Sequence, residues 1–169
     1  LYLGADLALD ALLLGRPELW RATLASMLAA QTGTGGLPEM YCASTQAFGW
    51  NLPPHATSAA ALLTLVRQGL VFDALGDTLR LTLGTLPTWW ESGGSLERAL
   101  TRWGPLDLAF RRVGDRVSWR WTAVPVWTEL ALPPGARREL ATNKELPGTE
   151  TRILVPPGRD HVEVRCRFE

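Results

Sequence analysis

The hydrophobic pattern of this chain changes period near Gly69, and this change constrains the fold more than any other feature. Before Gly69, apolar residues recur at helical spacing, whereas beyond it they alternate with polar residues, as at Leu79 and Leu81. A period near 3.6 is typical of an amphipathic helix, and a period of two is typical of a half-buried strand. The sequence therefore predicts an α+β protein, with a helical segment over residues 1–70 and an antiparallel β-rich module over 71–169.

Three helices are predicted in the first part, near residues 5–14, 17–31 and 54–69. Pro17 suits the first turn of the second helix, where the N–H that proline lacks is not needed. The third helix carries small side chains nearly all round, which indicates burial among other helices. An irregular stretch from Leu37 to Pro53 joins the last two helices, and loops of this length are often functional.

Strands are predicted in the second part wherever apolar and polar residues alternate. Besides the stretch around Leu79, the alternating segments are 106–110, 117–121 and 162–168. Gly-Asp pairs at 76–77 and 114–115 predict turns that join antiparallel strands. Between them, PTWWE at 87–91 predicts a short helical turn.

Charge and residue spacing exclude several classes of function. The 17 acidic and 17 basic side chains cancel, so the chain lacks the overall attraction on which nucleic-acid binders rely. No apolar run reaches the roughly 18 residues needed to cross a bilayer. His55 and His161 have no ligand-spaced companion, and Cys42 and Cys166 form no CxxC pattern, so neither a metal nor another cofactor is expected. Nucleic acid and membrane are likewise not expected as partners.

The loop from Gly35 to His55 contains the candidate chemistry. Its single carboxylate is Glu39. Apolar and aromatic side chains surround it in the sequence, and we expect them to form a low-dielectric wall: Pro38, Met40, Tyr41, Phe48 and Trp50. Gln46, Asn51 and His55 add hydrogen-bonding groups. A carboxylate in such surroundings can be tuned for acid/base catalysis, and aromatic rings can stack on a sugar. The structural alternative is that Glu39 only caps the loop or pairs with an arginine.

Three segments of this region resemble a known family. GGLPEMY, AFGWN and PPHATSAAALL are similar to the final hairpin of the six-hairpin (α/α)6 toroid glycosidases. In glucoamylase-type and trehalase-type members, a Glu in an LPEQ-like or EKY-like motif closes the loop before the last inner helix and serves as general base. The resemblance implies that Glu39 is the base and that Trp50 and His55 line the sugar subsite. Tyr41, Gln46 and Asn51 complete the predicted substrate-binding set.

The strand part extends the resemblance to roughly residues 5–130. GDTLRLTLGTLPTWW and TRWGPLDLAF resemble the β-sheet module that follows the toroid in many bacterial members. A complete toroid has twelve helices, so the resemblance implies that this chain is the C-terminal part of a longer glycosidase. Its expected partners are then a carbohydrate substrate and the upstream hairpins.

A second carboxyl group is required if the reaction inverts. Inverting hydrolysis uses a general acid about 6.5–9.5 Å from the base. Asp10, Glu18 and Glu91 are not placed by the sequence for that role, so the acid is expected upstream of Leu1. Two alternatives stay open: a non-catalytic carbohydrate-binding or structural module, and a toroid-type sugar epimerase or polysaccharide lyase in which Tyr41 or His55 is the base.

Overall fold

The chain forms two compact units, Leu1–Gly69 and Leu70–Glu169. The computed structural model describes residues 1–42, 44, 45, 47–49, 53–139 and 145–168, without the side chain of Tyr2. In these residues the first unit is mainly helical and the second is mainly strand, with the helices preceding the sheets. The predicted α+β class is therefore confirmed.

The described part of the first unit contains three helices and a small hairpin. The helices are α1 (Tyr2–Leu13), α2 (Pro17–Ala29) and α3 (Ala56–Leu70). The hairpin pairs β1 (Tyr41–Cys42) with β2 (Ala47–Phe48). All three helices lie within one turn of their predicted bounds, so these predictions are confirmed. The hairpin was not predicted, because two-residue strands are too short to show a period.

One tryptophan joins two helices of the first unit. Trp20 is completely buried, as are Leu24 and Met27 on the same face of α2. Its indole Nε1 donates a hydrogen bond to the carbonyl oxygen of Leu65 in α3, at 3.2 Å. Leu65 is itself fully buried. Trp20 thus links the buried face of α2 to α3.

The described part of the second unit contains one short helix and nine strands. They are, in chain order, β3 (Val71–Phe72), β4 (Thr78–Leu81), α4 (Pro87–Ser92), β5 (Gly94–Thr101), β6 (Gly104–Val113), β7 (Arg116–Trp121), β8 (Trp127–Ala131), β9 (Ala136–Arg138), β10 (Arg152–Val155) and β11 (His161–Phe168). Strands β4, β6, β7 and β11 and the helical turn α4 contain the segments predicted from the sequence.

These strands form two sheets. The four-stranded sheet has the order β10-β8-β4-β3, and the five-stranded sheet has the order β5-β6-β7-β11-β9. Strand pairs are antiparallel except β4 with β8, which run parallel. A parallel pair needs a long connection, and here the chain between β4 and β8 includes the hairpins β5-β6-β7. The module is thus mainly antiparallel, as predicted, with one parallel pair that was not predicted.

An aromatic cluster and two threonines connect the elements of the second unit. Trp90 of α4 lies 4.6 Å from Phe110 and 5.4 Å from Trp119, measured between ring centroids. The Trp119 indole donates to Thr82 Oγ1 at 3.1 Å, and the Trp90 indole donates to Thr85 Oγ1 at 3.0 Å. Since Trp119 belongs to the five-stranded sheet and Thr82 directly follows β4, the first bond links the two sheets. The indoles of Trp90 and Trp119 therefore have their donors satisfied.

Candidate functional site

The glycine-rich segment before the candidate loop is a compact turn. Gly35 N donates to Thr32 O at 2.9 Å, and Thr32 N donates to Gly36 O at 2.8 Å. Gly36 N donates to the hydroxyl of Thr32 at 2.9 Å. A side chain at Gly36 would lie 3.4 Å from the ring of Pro53, so the two ends of the loop approach each other here. Glycine permits this close approach.

The backbone around Glu39 is fixed on both sides. His55 N donates to Leu37 O at 2.7 Å, and the backbone nitrogen of Leu1 donates to Glu39 O at 2.9 Å. Leu37 is buried and Glu39 is half-buried. Glu39 therefore lies two residues from a direct backbone contact with the start of α3. The structure thus brings the backbone of the Glu39 segment to the start of α3.

The β1–β2 hairpin follows Glu39 and presents aromatic side chains. Tyr41 pairs with Phe48, with ring centroids 6.2 Å apart. Gly49 N donates to Met40 O at 2.9 Å, and a side chain at Gly49 would be only 3.0 Å from Met40 Cβ. Tyr41 is half-buried, whereas Met40 and Phe48 are 55% and 40% exposed. The expected low-dielectric wall is therefore more open than predicted, and Met40 and Phe48 offer apolar surface to solvent.

His55 caps the N-terminus of α3. The backbone N–H of Ser58 lies 3.4 Å from His55 Nδ1, and the Ser58 hydroxyl lies 3.1 Å from the same nitrogen. Because a backbone N–H can only donate, Nδ1 acts as an acceptor, and the neutral ring carries its proton on Nε2. A helix leaves its first N–H groups without intrahelical partners, and a side-chain acceptor satisfies one of them. Of the two ring nitrogens of His55, Nδ1 is therefore the one that takes part in the cap.

Replacing His55 by alanine is expected to lower the free energy of unfolding by about 1 kcal/mol, because the cap is lost. Asparagine supplies a good N-cap acceptor and should retain most of the stability. Urea denaturation followed by circular dichroism at about 222 nm, in the negative band of the α-helix, measures both variants. Equal losses in the two variants would contradict a capping role for His55.

Sequence reasoning missed the chemistry of Cys42. Its thiol is exposed, and Sγ lies 3.2 Å from the hydroxyl of Ser44. Hydrogen bonds from the Ser44 hydroxyl, and then from the Thr45 hydroxyl and nearby backbone, lower the pKa of Cys42 to about 7. Hydroxyl residues two and three positions after a cysteine were the available signal in the sequence. A thiol with a lowered pKa thus lies in the same loop as Glu39.

The structure places three of the six predicted site residues. Glu39, Tyr41 and His55 lie in one loop and at the start of α3, whereas Gln46, Trp50 and Asn51 lie outside the described residues. In the described ranges no group of three or more His, Cys, Asp or Glu side chains is placed to hold a metal ion. None of the helices in the described part of the chain combines the length and apolar character needed to span a membrane.

Comparisons of the chain with protein-family models, with curated proteins and with solved structures found no match. A functional assignment therefore depends on the geometry of the loop.

Proposed function

We propose that this chain contributes the general-base loop and part of the sugar subsite of a glycoside hydrolase, as the C-terminal part of a longer protein. The observation that carries the proposal is the bond between His55 N and Leu37 O, since it positions the Glu39 segment at the start of α3. A carboxylate at that position is what the resemblance to the toroid glycosidases requires of a general base. Two residues further along the chain, the Tyr41–Phe48 pair supplies aromatic surface for a sugar ring.

As general base, Glu39 would remove a proton from a water molecule while the water oxygen bonds to the anomeric carbon. The glycosidic C–O bond then breaks, and a general acid protonates the departing oxygen. Two carboxyl groups in different protonation states are therefore needed. Five side chains would hold the sugar in place: Tyr41, Gln46, Trp50, Asn51 and His55.

Glu18 is unsuited to be the acid. A hydrogen bond with its own backbone N–H lowers the pKa of Glu18, and its bond from Arg16 acts in the same direction. A general acid must instead retain its proton near neutral pH, and enzymes achieve this by raising the pKa of the carboxyl group. The lowered pKa therefore argues against Glu18 as the general acid.

Exposed leucines support the presence of additional helices in the longer protein. Leu3, Leu7 and Leu14 on and beside α1 are 66%, 70% and 79% exposed. A mainly apolar groove of about 460 Å³ lies between α1 and α2. Large exposed apolar surfaces usually mark contact sites, and further hairpins of a toroid would cover this one.

Residues 1–169 alone are expected to hydrolyse no aryl glycoside at a measurable rate, because an inverting site needs both carboxyl groups. Release of nitrophenol from a panel of nitrophenyl glycosides measures this, with the chain extended by its upstream hairpins as the positive comparison. Robust turnover by a monomeric preparation of residues 1–169, abolished by Glu39→Gln, would show instead that the acid lies within this chain.

A further inference from the structure

The outward face of the five-stranded sheet is rich in arginine. Side chains alternate along each strand, so every second residue points away from the core. Six arginines occupy exposed positions of this kind, and we refer to them as the basic band: Arg111, Arg116, Arg120, Arg137, Arg165 and Arg167. The whole chain has no net charge, so the band is a local segregation of positive charge.

Strand register makes the band continuous. Arg165 pairs with Arg116 across β11 and β7, and Arg167 pairs with Arg137 across β11 and β9. Successive outward positions on one strand are about 6.5 Å apart, and neighbouring strands are about 4.8 Å apart. Guanidinium groups on long side chains can bridge such gaps, so one extended anionic ligand could contact several of them.

Three members of the band have no ionic partner among the described residues. Arg116 pairs with Glu163, Arg137 with Glu150 and Arg165 with Asp115. No ion pair within the described ranges involves Arg111, Arg120 or Arg167. These three guanidinium groups are therefore the ones with unused capacity for an anion.

A hollow of about 500 Å³ lies at Arg111 and Arg120. Its lining includes both arginines, His161 and Ser118, the small residue Ala109, and Glu163, whose carboxylate is paired with Arg116. Ala109 and His161 are the register neighbours of Arg120, and Ser118 is the neighbour of Arg111. The small side chains leave space between the arginines, and the volume is in the range of ligand pockets. A hydroxyl and an imidazole add further hydrogen-bonding groups.

Acidic residues limit the band at one end. A second hollow of about 600 Å³ shares Ala109 and Arg120 with the first, and its lining includes Glu97, Asp107 and Asp160. Negative charge there would repel an anionic ligand. A bound anionic chain is thus directed from Arg120 toward the Arg167–Arg137 pair.

We propose that the basic band binds an acidic polysaccharide, a glycan chain that bears carboxylate or sulfate groups. Guanidinium groups match both anions through paired N–H donors, and a band that crosses four strands suits a polymer with repeated charges. That the polymer is a glycan rests on the proposed function. Single-stranded nucleic acid is the less favoured ligand, because the described outward residues that line the two hollows include no Trp, Tyr or Phe side chain to stack on a base.

The test is a binding titration of residues 1–169 with four polymers: polygalacturonate, dextran sulfate, neutral dextran and a single-stranded DNA oligonucleotide. We expect binding of polygalacturonate or dextran sulfate and no binding of dextran. The double variant Arg111→Ala/Arg120→Ala should weaken that binding about tenfold, since it removes charged hydrogen bonds to the ligand. The matched control Arg16→Ala/Arg21→Ala lowers the net charge equally but changes only the first unit. It should bind as the unmodified chain does.

Three results would overturn the proposal. The first is that neither acidic polymer binds. The second is that both double variants weaken binding equally, which indicates non-specific attraction. The third is that DNA binds through Arg111 and Arg120 at least as tightly as the acidic glycans do. None of these results would contradict the proposed function, which depends on Glu39. Conversely, Glu39→Gln should leave polymer binding unchanged whatever its effect on turnover. Unchanged turnover in this variant would contradict the proposed function but not the polymer-binding proposal. Circular dichroism verifies that each variant is folded.

Discussion

Replacing Glu39 by glutamine, in a chain that includes the upstream hairpins, is expected to lower glycoside turnover about 10²–10⁴-fold. Glutamine has the size of glutamate but cannot accept a proton from water at neutral pH. The backbone contacts that fix this segment, from Leu1 N to Glu39 O and from His55 N to Leu37 O, do not involve the replaced carboxylate. The loss should therefore appear in kcat, with little change in substrate affinity.

The matched control is Glu18→Gln, which neutralises another carboxylate of the same unit. Glu18 is exposed on α2 and bonded to Arg16 at 3.1 Å. Pairs of this kind contribute little to stability, and Glu18 is not part of the candidate site, so turnover should be retained. If Glu39→Gln also retains turnover while the protein stays folded, the Glu39 carboxylate is structural and the general base is another group.

The sequence predicted those elements whose side-chain period is regular. Trp20, Leu24 and Met27 recur at helical spacing and are buried on one face of α2. Leu106 and Leu108 alternate with polar residues and are buried in β6. In both cases burial of one face determines the local conformation, and the pattern records that burial directly.

Elements determined by longer-range contacts were not predictable in this way. Strand β5 contains a register shift between Leu96 and Ala99, where Arg98 adopts a φ of 52°. The Arg98 N–H donates to the carboxylate of Asp107 on β6 at 2.7 Å. Such a bulge interrupts the period of two. The parallel pairing of β4 with β8 is likewise a property of the whole module and not of either strand alone.

The candidate site likewise combines features that the sequence predicted with features that it did not. The position of Glu39 before α3 followed from the sequence, and the contact between His55 N and Leu37 O agrees with that order. The capping role of His55 did not follow, because it depends on the ring lying over the Ser58 N–H. Nor did the exposure of Met40 and Phe48, since composition alone does not determine which side of a short hairpin is covered.

Cys42 is expected to react with iodoacetamide near pH 7 while Cys166 stays unmodified in the folded chain. Hydrogen bonds from Ser44 and Thr45 lower the pKa of Cys42 to about 7, whereas burial raises the pKa of Cys166 to about 12. About half of Cys42 is then thiolate at pH 7, against roughly one part in 10⁵ of Cys166, and only the thiolate is nucleophilic. Cys166 is also 3% exposed, which blocks access by the reagent.

The rate of Cys42 alkylation should rise with pH through about 7 and level off about one unit higher, because the lowered pKa makes the thiolate the main form there. Mass spectrometry of timed samples measures both sites, and Cys42→Ser identifies the modified position. Ser44→Ala removes the principal hydrogen bond to the thiol and should move the midpoint toward the ordinary cysteine value of about 8.5. A midpoint already near that value in the unmodified chain, or equal labelling of both cysteines before unfolding, would contradict an activated thiol in the loop.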